Sequence, residues 1–113
     1  MNECLFCRFV KNELEVKKVF EDDLMIIIKD INPQAKNHFL LIPKEHYPLL
    51  SMMSAPQAEN LGRCLSTVSK LKELLELQNG YRLVINQGND AGQTVHHLHV
   101  HILSGQQMKW TPA

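Results

Sequence analysis

The sequence predicts an α+β fold with a mostly antiparallel sheet of five strands, one long helix and a short N-terminal helix. Two observations support this prediction. Strand-like segments lie on both sides of a single segment with helical apolar spacing, and the last two strands follow each other as a hairpin-like pair. The chain of 113 residues is also long enough for one hydrophobic core and contains no internal repeat or linker. We therefore expect residues 1–113 to form one domain.

Composition argues against several classes of protein. Twelve basic and twelve acidic side chains give zero formal charge, so we expect neither a nucleic-acid partner nor an anionic-membrane patch. The longest apolar run is Leu24–Ile28, far shorter than the ~20 residues of a membrane span, and no apolar secretion segment is seen at the N-terminus. Two of the three cysteines form Cys4-Leu5-Phe6-Cys7, which indicates a reducing compartment and a metal rather than a disulfide scaffold. We expect a cytoplasmic protein.

Four segments rich in apolar and β-branched residues predict the first four strands, over residues 16–21, 24–29, 38–42 and 81–86. Glu21-Asp22-Asp23 marks a turn, Pro33 fixes the backbone of the loop over residues 31–37, and Pro43 stops the third strand. Residues 1–13, which contain the Cys-x-x-Cys pair, predict a short helix or knuckle.

The long helix begins at a capping box. Ser54 has the N-cap position, Pro56 lies in the first turn and Gln57 has the third position. A buried stripe at helical spacing is formed by Leu61, Leu65, Val68, Leu71 and Leu75. The pair Asn79-Gly80, which tolerates left-handed backbone, predicts the end of this helix.

The most informative segment is Val95–Leu103, in which three histidines alternate with apolar residues. Residues two apart in a strand share a face. A fifth strand would therefore place three imidazoles in one row and bury the residues between them, whereas a helix would scatter the imidazoles around its axis. The row consists of His97, His99 and His101, and the buried residues are Leu98, Val100 and Ile102.

Three imidazoles on one face need an explanation, because burying a histidine without partners is unfavourable. They could be solvated, or be core residues bonded to backbone carbonyls. They could form an H-x-H zinc site completed by a third ligand elsewhere. They could also be catalytic, with one imidazole as nucleophile or base. The preceding loop, residues 87–94, can present backbone N–H groups and the Thr94 hydroxyl to a phosphate, which favours phosphoryl chemistry.

The run from His97 to Leu103 resembles the His-φ-His-φ-His-φ-φ signature (φ apolar) of the histidine triad (HIT) family. The resemblance covers most of the chain from about residue 5 onward. The segments similar to the nucleotide-binding branch of that family are Asp30–Ala35, His38–His46, Gly80–Asn86, Gly92–Val95 and Gln107–Pro112. The resemblance implies a HIT-like fold.

The resemblance also implies an activity. His99 would attack the α-phosphorus of a nucleotide and form a nucleotidyl-histidine intermediate, which water then resolves. His101 would contact the phosphate or leaving group and supply a proton, while His38 supports the row and His97 is its first member. The expected enzyme is a purine nucleotide hydrolase or transferase acting on nucleoside 5′-phosphoramidates or aminoacyl adenylates. The alternatives are a dinucleoside polyphosphate hydrolase and a non-catalytic module that binds nucleotide or zinc.

The resemblance assigns nucleotide contacts as well. Asp30 would take the ribose hydroxyls, and Thr94 the phosphate bridge. The base slot would consist of Leu5, Phe6, Ile28 and Ile31, and the phosphate side of Asn86, Gly92 and Gln93, with His99 and His101. Simpler interpretations remain open: Asp30 could be a turn or cap residue, His38 a packed strand residue, and the two isoleucines core.

Some members of the family carry Cys-x-x-Cys near the N-terminus and bind structural zinc, with no cofactor needed for the chemistry. Carried over, the ligands would be Cys4, Cys7, His46 and His97; the alternative is two buried packing cysteines. The resemblance further implies a homodimer, with Trp110 in a C-terminal tail at the interface, near the partner's site.

Overall fold

A computed structural model describes residues 4–109 of the chain and contains one five-stranded sheet. Its strands are β1 (Lys18–Glu21), β2 (Met25–Lys29), β3 (Asn37–Pro43), β4 (Tyr81–Val84) and β5 (Val100–Ser104). Their order across the sheet is β1-β2-β3-β5-β4, and each neighbouring pair is antiparallel. The predicted α+β fold with five strands and a terminal β4–β5 pair is confirmed.

Three helices accompany the sheet: α1 (Leu5–Val10), α2 (Ala55–Val68) and α3 (Lys72–Leu75). Short 3₁₀ turns cover Leu50–Met52 and Asn89–Ala91. The predicted short N-terminal helix is α1, which begins after Cys4, whose Sγ accepts the backbone N–H of Cys7. Within residues 4–109, no helix is long and apolar enough to cross a membrane.

The long helix begins where the sequence predicts. Ser54 and Gln57 form the capping box in both directions, with bonds of 3.3 Å to the Gln57 N–H and 2.9 Å to the Ser54 N–H. Its predicted end at Asn79-Gly80 is wrong, because α2 stops at Val68 and the chain continues through α3. The left-handed residue that ends α3 is Glu76, with φ of 58°.

Hydroxyl side chains account for the early end of α2. Thr67 donates its hydroxyl to the Arg63 carbonyl at 2.9 Å, and Ser69 donates to the Ser66 carbonyl at 2.6 Å. Such bonds compete with the helical backbone pattern, and serine and threonine are also weak helix formers. The chain can then turn, and Leu75 is still fully buried, so the apolar stripe persists although the helix does not.

The sheet buries apolar side chains on both faces, because alternate residues of a strand point to opposite sides. The cluster that includes α2 contains Met25, Ile27, Phe39, Leu41, Leu61, Val68, Leu98, Val100 and Ile102 among others. The cluster that includes α1 contains Phe6, Ile26, Ile28, Leu40 and Ile42. His101 pairs with Leu40 across β5 and β3, so its side chain lies on the α1 face.

Candidate active site and metal centre

The histidine segment is only partly a strand. β5 begins at Val100, so the prediction of a strand from Val95 is wrong at its N-terminal end, and the first two histidines of the row lie in the preceding loop. The burial pattern is nevertheless confirmed, because Leu98, Val100 and Ile102 are all fully buried. The histidines differ among themselves: His97 is fully buried, whereas His99 and His101 are half-buried.

His101 and His38 form a direct hydrogen bond whose direction can be assigned. The backbone N–H of Gln34 donates to His38 Nδ1 at 2.9 Å, so a neutral His38 carries its proton on Nε2. This Nε2–H donates to His101 Nδ1 at 2.8 Å. His101 must in turn carry its own proton on Nε2, where it can be offered to a ligand. Buried and bonded at both nitrogens, His38 is more than a packed strand residue.

Asp30 lies beside the His38–His101 pair. Its Oδ1 accepts the Asn32 N–H at 2.8 Å, forming the turn that the simpler interpretation suggested, and its Oδ2 lies 3.4 Å from His38 Nε2. A carboxylate has about four acceptor positions, so these contacts leave capacity for a ligand. Asp30 is therefore both a turn residue and the negative charge nearest the His38–His101 pair.

Burial keeps these imidazoles neutral. Desolvation, with help from His99 and His38, lowers the pKa of His101 to about 4, and Asp30 only partly opposes this. Desolvation likewise lowers the pKa of His38, again against Asp30. At neutral pH both rings hold a single proton, so the tautomers assigned from their hydrogen bonds apply.

His99 has the opposite tautomer. Its Nδ1–H donates to the backbone carbonyl of His97 at 2.9 Å, which leaves the lone pair of the neutral ring on Nε2. Its ring centroid lies 5.2 Å from that of His101. The site thus places an imidazole with a free Nε2 lone pair beside an imidazole with an Nε2–H, the pairing of a nucleophile with an acid.

The four cysteine and histidine residues assigned to metal do converge. Cys7 Sγ lies 3.2 Å from His46 Nδ1 and 3.5 Å from His97 Nδ1, and Cys4 Sγ lies 3.4 Å from His97 Nδ1. The two ring nitrogens are 3.1 Å apart. One ligand atom from each residue lies within 4.8 Å of all the others.

These distances fit a tetrahedral zinc ion. Zinc bonds of ~2.3 Å to sulfur and ~2.0 Å to nitrogen place tetrahedral ligands about 3.5 Å apart for sulfur and nitrogen and about 3.3 Å for two nitrogens. His97 Nε2–H donates to the Pro43 carbonyl at 2.7 Å, so its Nδ1 carries the lone pair and faces His46. Two ring nitrogens and two thiols that face one another are best stabilised by a cation between them. The donor set therefore fits structural zinc.

A second cluster, Asp30, His38 and His101, also has ligand atoms within 4.8 Å of one another. It does not suit a metal. The Gln34 N–H occupies Nδ1 of His38 and keeps the His38 proton on Nε2, between the two rings, where a metal would have to bind. This cluster is a proton-linked group, whereas the cysteine-containing cluster has the composition and spacing of a metal ligand set.

The residues assigned to a base slot differ in exposure. Phe6 and Ile28 are 5% and 4% exposed and belong to one apolar cluster, whereas Leu5 and Ile31 are 43% and 92% exposed. The alternative that both isoleucines are core residues therefore holds for Ile28 and is wrong for Ile31. An apolar side chain exposed to this extent is available to a ligand.

The side-chain amide of Gln93 holds the loop over residues 86–94 in place by hydrogen bonds. Gln93 is 4% exposed; its Oε1 accepts the Gly88 N–H at 2.8 Å and its Nε2 donates to the Pro48 carbonyl at 2.8 Å. Gly92 has φ of 83°, in the left-handed region that favours glycine. Thr94 is exposed and Asn86 is half-buried. The loop is thus held in place with Thr94 exposed to solvent, while the backbone N–H groups of Gly88, Gly92 and Gln93 are bonded within the loop.

Three contributions escaped the sequence analysis. The backbone N–H of Gln34 fixes the tautomer of His38, and the backbone carbonyl of Pro43 fixes that of His97. A pattern of side chains in the sequence does not reveal a hydrogen-bond partner on the main chain. Phe6 was assigned to the base slot, but its ring lies edge-on to both His97 and His99. Its position between the two cysteines was the available signal.

A polar cavity of about 390 Å³ lies elsewhere in the described structure. Its lining residues are Lys36, Asn37, Glu76, Gln78, Asn79, Gly80, Gly105, Gln106 and Gln107. None of them is a member of either histidine cluster, so the chemistry of the histidine row does not involve this cavity.

The sequence and the structure of this chain are similar to those of known proteins. Residues 11–108 match the HIT domain family. A HIT-like protein of Synechocystis sp. is 41% identical over 110 residues, covering 97% of this chain and 96% of the relative. A HIT family hydrolase from Legionella pneumophila has a TM-score of 0.91 at 39% identity, covering 98% of this chain and 100% of that one. The chain belongs to the histidine triad family, and its fold is that of HIT family hydrolases.

A further solved structure bears on the metal centre. A zinc-bound histidine triad family protein from Mycobacterium smegmatis has a TM-score of 0.78 at 28% identity, covering 92% of this chain and 76% of that protein. Zinc is therefore compatible with this fold, and Cys4, Cys7, His46 and His97 of the present chain form a donor set that fits zinc.

We expect the histidines to show two opposite tautomers at neutral pH, with the proton on Nδ1 in His99 and on Nε2 in His38 and His101. Long-range ¹H–¹⁵N correlation spectra distinguish the two. Because burial lowers the pKa of His101 to about 4, its ring nitrogens should keep their shifts as the pH falls through the ordinary histidine value of 6.5. A His101 titration near that value, or an Nε2–H tautomer at His99, contradicts the assignment.

Proposed function

We propose that the protein is a purine nucleotide hydrolase or transferase that cleaves nucleoside 5′-phosphoramidates or aminoacyl adenylates at the α-phosphate. The observation that carries the proposal is the pair of opposite tautomers at His99 and His101. A solvated row of histidines has no need of fixed tautomers. A covalent phosphoryl-transfer site needs one lone pair and one proton on the same side.

The tautomers define a balanced sequence of steps. The His99 Nε2 lone pair attacks the α-phosphorus, and the bond from phosphorus to the leaving nitrogen or oxygen breaks. The His38–His101 pair takes up a proton from solvent, and His101 then gives its Nε2 proton to the leaving group and returns to its neutral form. Water then attacks the nucleotidyl-histidine and gives a proton to His101, and the phosphorus–His99 bond breaks to release the nucleotide monophosphate.

His38 and Asp30 would support the proton transfers. The His38 Nε2–H holds His101 in the Nε2–H tautomer, and the Asp30 carboxylate favours the charged form of His101. This carboxylate opposes the effect of burial at the moment when the ring carries an extra proton. His97 contributes its main-chain carbonyl to His99.

The apolar side chains of the site would bind the base of the nucleotide, and the polar groups would bind its ribose and phosphate. Leu5 and Ile31 would flank the base over the buried floor of Phe6 and Ile28, and the Asp30 carboxylate would accept the ribose hydroxyls. On the phosphate side lies the loop described above, with Asn86, Gly92, Thr94 and the triad imidazoles. Gln93 would act there through the loop backbone that its amide braces.

Two other functions remain as alternatives. A dinucleoside polyphosphate hydrolase would use the same nucleophile with a phosphate leaving group. A non-catalytic module would bind nucleotide or zinc without turnover. Comparing an adenosine phosphoramidate with a diadenosine polyphosphate at equal concentration separates the first, and nucleotide binding by a wild-type protein without turnover identifies the second.

Replacing His99 by Asn should abolish turnover of an adenosine 5′-phosphoramidate while leaving nucleotide binding largely intact. The covalent route disappears, so we expect kcat to fall by at least about three orders of magnitude. Steady-state kinetics and calorimetric titration with the nucleotide monophosphate measure the two effects. His96→Asn is the matched control, because His96 is an exposed histidine in the same segment. Near-normal turnover by His99→Asn would rule out the covalent mechanism.

Replacing Asp30 by Asn should weaken the binding of ribonucleotides more than that of their 2′-deoxy counterparts. The amide keeps an oxygen for the Asn32 N–H but loses charge-assisted bonds to the diol, worth about 1.5 kcal/mol or roughly tenfold in affinity. Affinities for both ligand types measure the difference, with the exposed Asp23→Asn as control. Equal losses for the two ligands would assign Asp30 to the support of His38 alone.

We also propose that Cys4, Cys7, His46 and His97 hold one structural zinc ion per chain. The ion would fix α1 against the sheet, and with four protein ligands it has no open position for substrate. Replacing both Cys4 and Cys7 by Ser should abolish zinc binding and lower the melting temperature, measured by elemental analysis and calorimetry. The buried Cys64→Ser serves as control and should keep its zinc. If the wild type carries no metal and the double variant keeps the melting temperature of the wild type, the two cysteines are packing residues.

We further propose a homodimer built from a single HIT domain over residues 1–113. The family match over residues 11–108 supports one domain. Strand β4 is at an edge of the sheet, with Leu83 37% exposed, and an unpaired edge favours association. The Arg82 guanidinium donates to the Lys109 carbonyl at 2.7 Å, which keeps Lys109 close to β4. Trp110, assigned to the interface, lies outside the described residues.

A further inference from the structure

We propose that occupancy of the Cys4–Cys7–His46–His97 cluster sets the orientation of the nucleophile His99, and that Phe6 is the positioning residue that couples the two sites. This inference rests on the proposed function in taking His99 as the nucleophile and the four-residue cluster as a zinc site. With metal bound in the cluster, the His99 ring would be ordered; without metal, it would be disordered. The metal centre would therefore have a role beyond stability.

Phe6 lies where such coupling is possible. In α1 it is flanked by both cysteines, and its side chain is 5% exposed. Its ring meets His99 edge to face, with centroids 5.0 Å apart and planes at 83°, and meets His97 at 5.9 Å and 76°. Edge-to-face contacts restrict the tilt of both rings. Phe6 therefore constrains the plane of the nucleophile from the same helix that carries two metal ligands.

The position of α1 depends on its attachments. It has only six residues, and a helix that short does not persist alone in water. Phe6 and Cys7 are its buried residues, and the cysteines reach His46 and His97 on the main body. A metal bound by thiolates and imidazoles would fasten α1 there. Loss of the metal would loosen α1 and withdraw the Phe6 ring from His99.

His97 supplies a second link. Its imidazole faces the two thiols and His46, while its backbone carbonyl accepts the Nδ1–H of His99 at 2.9 Å. A shift of the His97 ring therefore moves the main chain that fixes the tautomer of His99. Without Phe6 this bond still sets the direction of Nδ1, but the ring loses its contact on the α1 side and is limited in tilt by His101. Both links act on His99 and neither touches the His38–His101 pair.

The base-slot role and the positioning role of Phe6 predict different kinetics. A residue that only contacts the base changes KM, because it binds ground state and transition state equally. A residue that orients His99 changes kcat, because reaction requires an aligned nucleophile. Phe6→Leu keeps an apolar floor for the base but removes the planar edge against His99.

The experiment compares zinc-loaded wild type, Phe6→Leu and Phe9→Leu. Phe9 is the matched control, a half-buried residue of α1 that stacks on Phe6 at 6.2 Å and 27°. For each protein, zinc per chain, kcat and KM with adenosine 5′-phosphoramidate, and solvent exchange of the His99 Nδ1 proton by NMR are measured. Wild type treated with a chelator is the fourth sample and needs only the NMR measurement.

For Phe6→Leu we expect one zinc per chain, a kcat about tenfold lower, a KM within about twofold of wild type, and faster exchange of the His99 Nδ1 proton. Phe9→Leu should match wild type throughout. Chelated wild type should show the same faster exchange at His99 while core methyl signals from Leu98 and Val100 stay in place, which shows that the sheet remains folded.

Two outcomes overturn the proposal. A raised KM with unchanged kcat and unchanged His99 exchange in Phe6→Leu makes Phe6 a base contact only. Chelated wild type with unchanged His99 exchange shows that the two sites are not coupled, and this arm decides even if Phe6→Leu loses its zinc or fails to fold. The exchange measurement needs no turnover, so it stays valid if His99→Asn disproves the covalent mechanism.

Discussion

The hydrogen bond from His99 Nδ1–H to the His97 carbonyl, 2.9 Å long, is the interaction on which the proposed chemistry depends. It holds the proton of the neutral ring on Nδ1 and so leaves the lone pair of His99 on Nε2. The carbonyl is fixed because its own residue is fully buried and donates Nε2–H to Pro43. His97 therefore anchors the proposed nucleophile through its main chain, while its side chain faces the cysteines and His46 of the proposed metal site.

Protonation separates two clusters of similar composition. In the cluster of Asp30, His38 and His101, a proton lies between the two imidazole rings. It lies there because the backbone N–H of Gln34 occupies the other nitrogen of His38. In the other cluster, hydrogen bonding leaves the His97 lone pair pointing at two sulfurs and a second imidazole. A main-chain donor at one site and a main-chain acceptor at the other thus determine which group is suited to proton transfer and which to holding a cation.

Local signals in the sequence predicted much of this structure. The capping box at Ser54 and the burial of Leu98, Val100 and Ile102 are confirmed because each depends on neighbouring residues alone. The end of α2 was missed, since weak helix formers there were outweighed by the continuing leucine pattern. The complete burial of His97 also could not be foreseen from its own segment, because Cys4, 93 residues away, contributes to its cover.

The buried amide of Gln93 has a consequence for affinity. By bonding to Gly88 and Pro48 it ties together a glycine-rich loop that would otherwise be flexible. The conformational entropy of this loop is therefore lost when the chain folds, not when a phosphate arrives. Under the proposed function, an anion that meets this ordered loop would keep more of its interaction energy as binding energy, and product release would be governed by contacts rather than by loop closure.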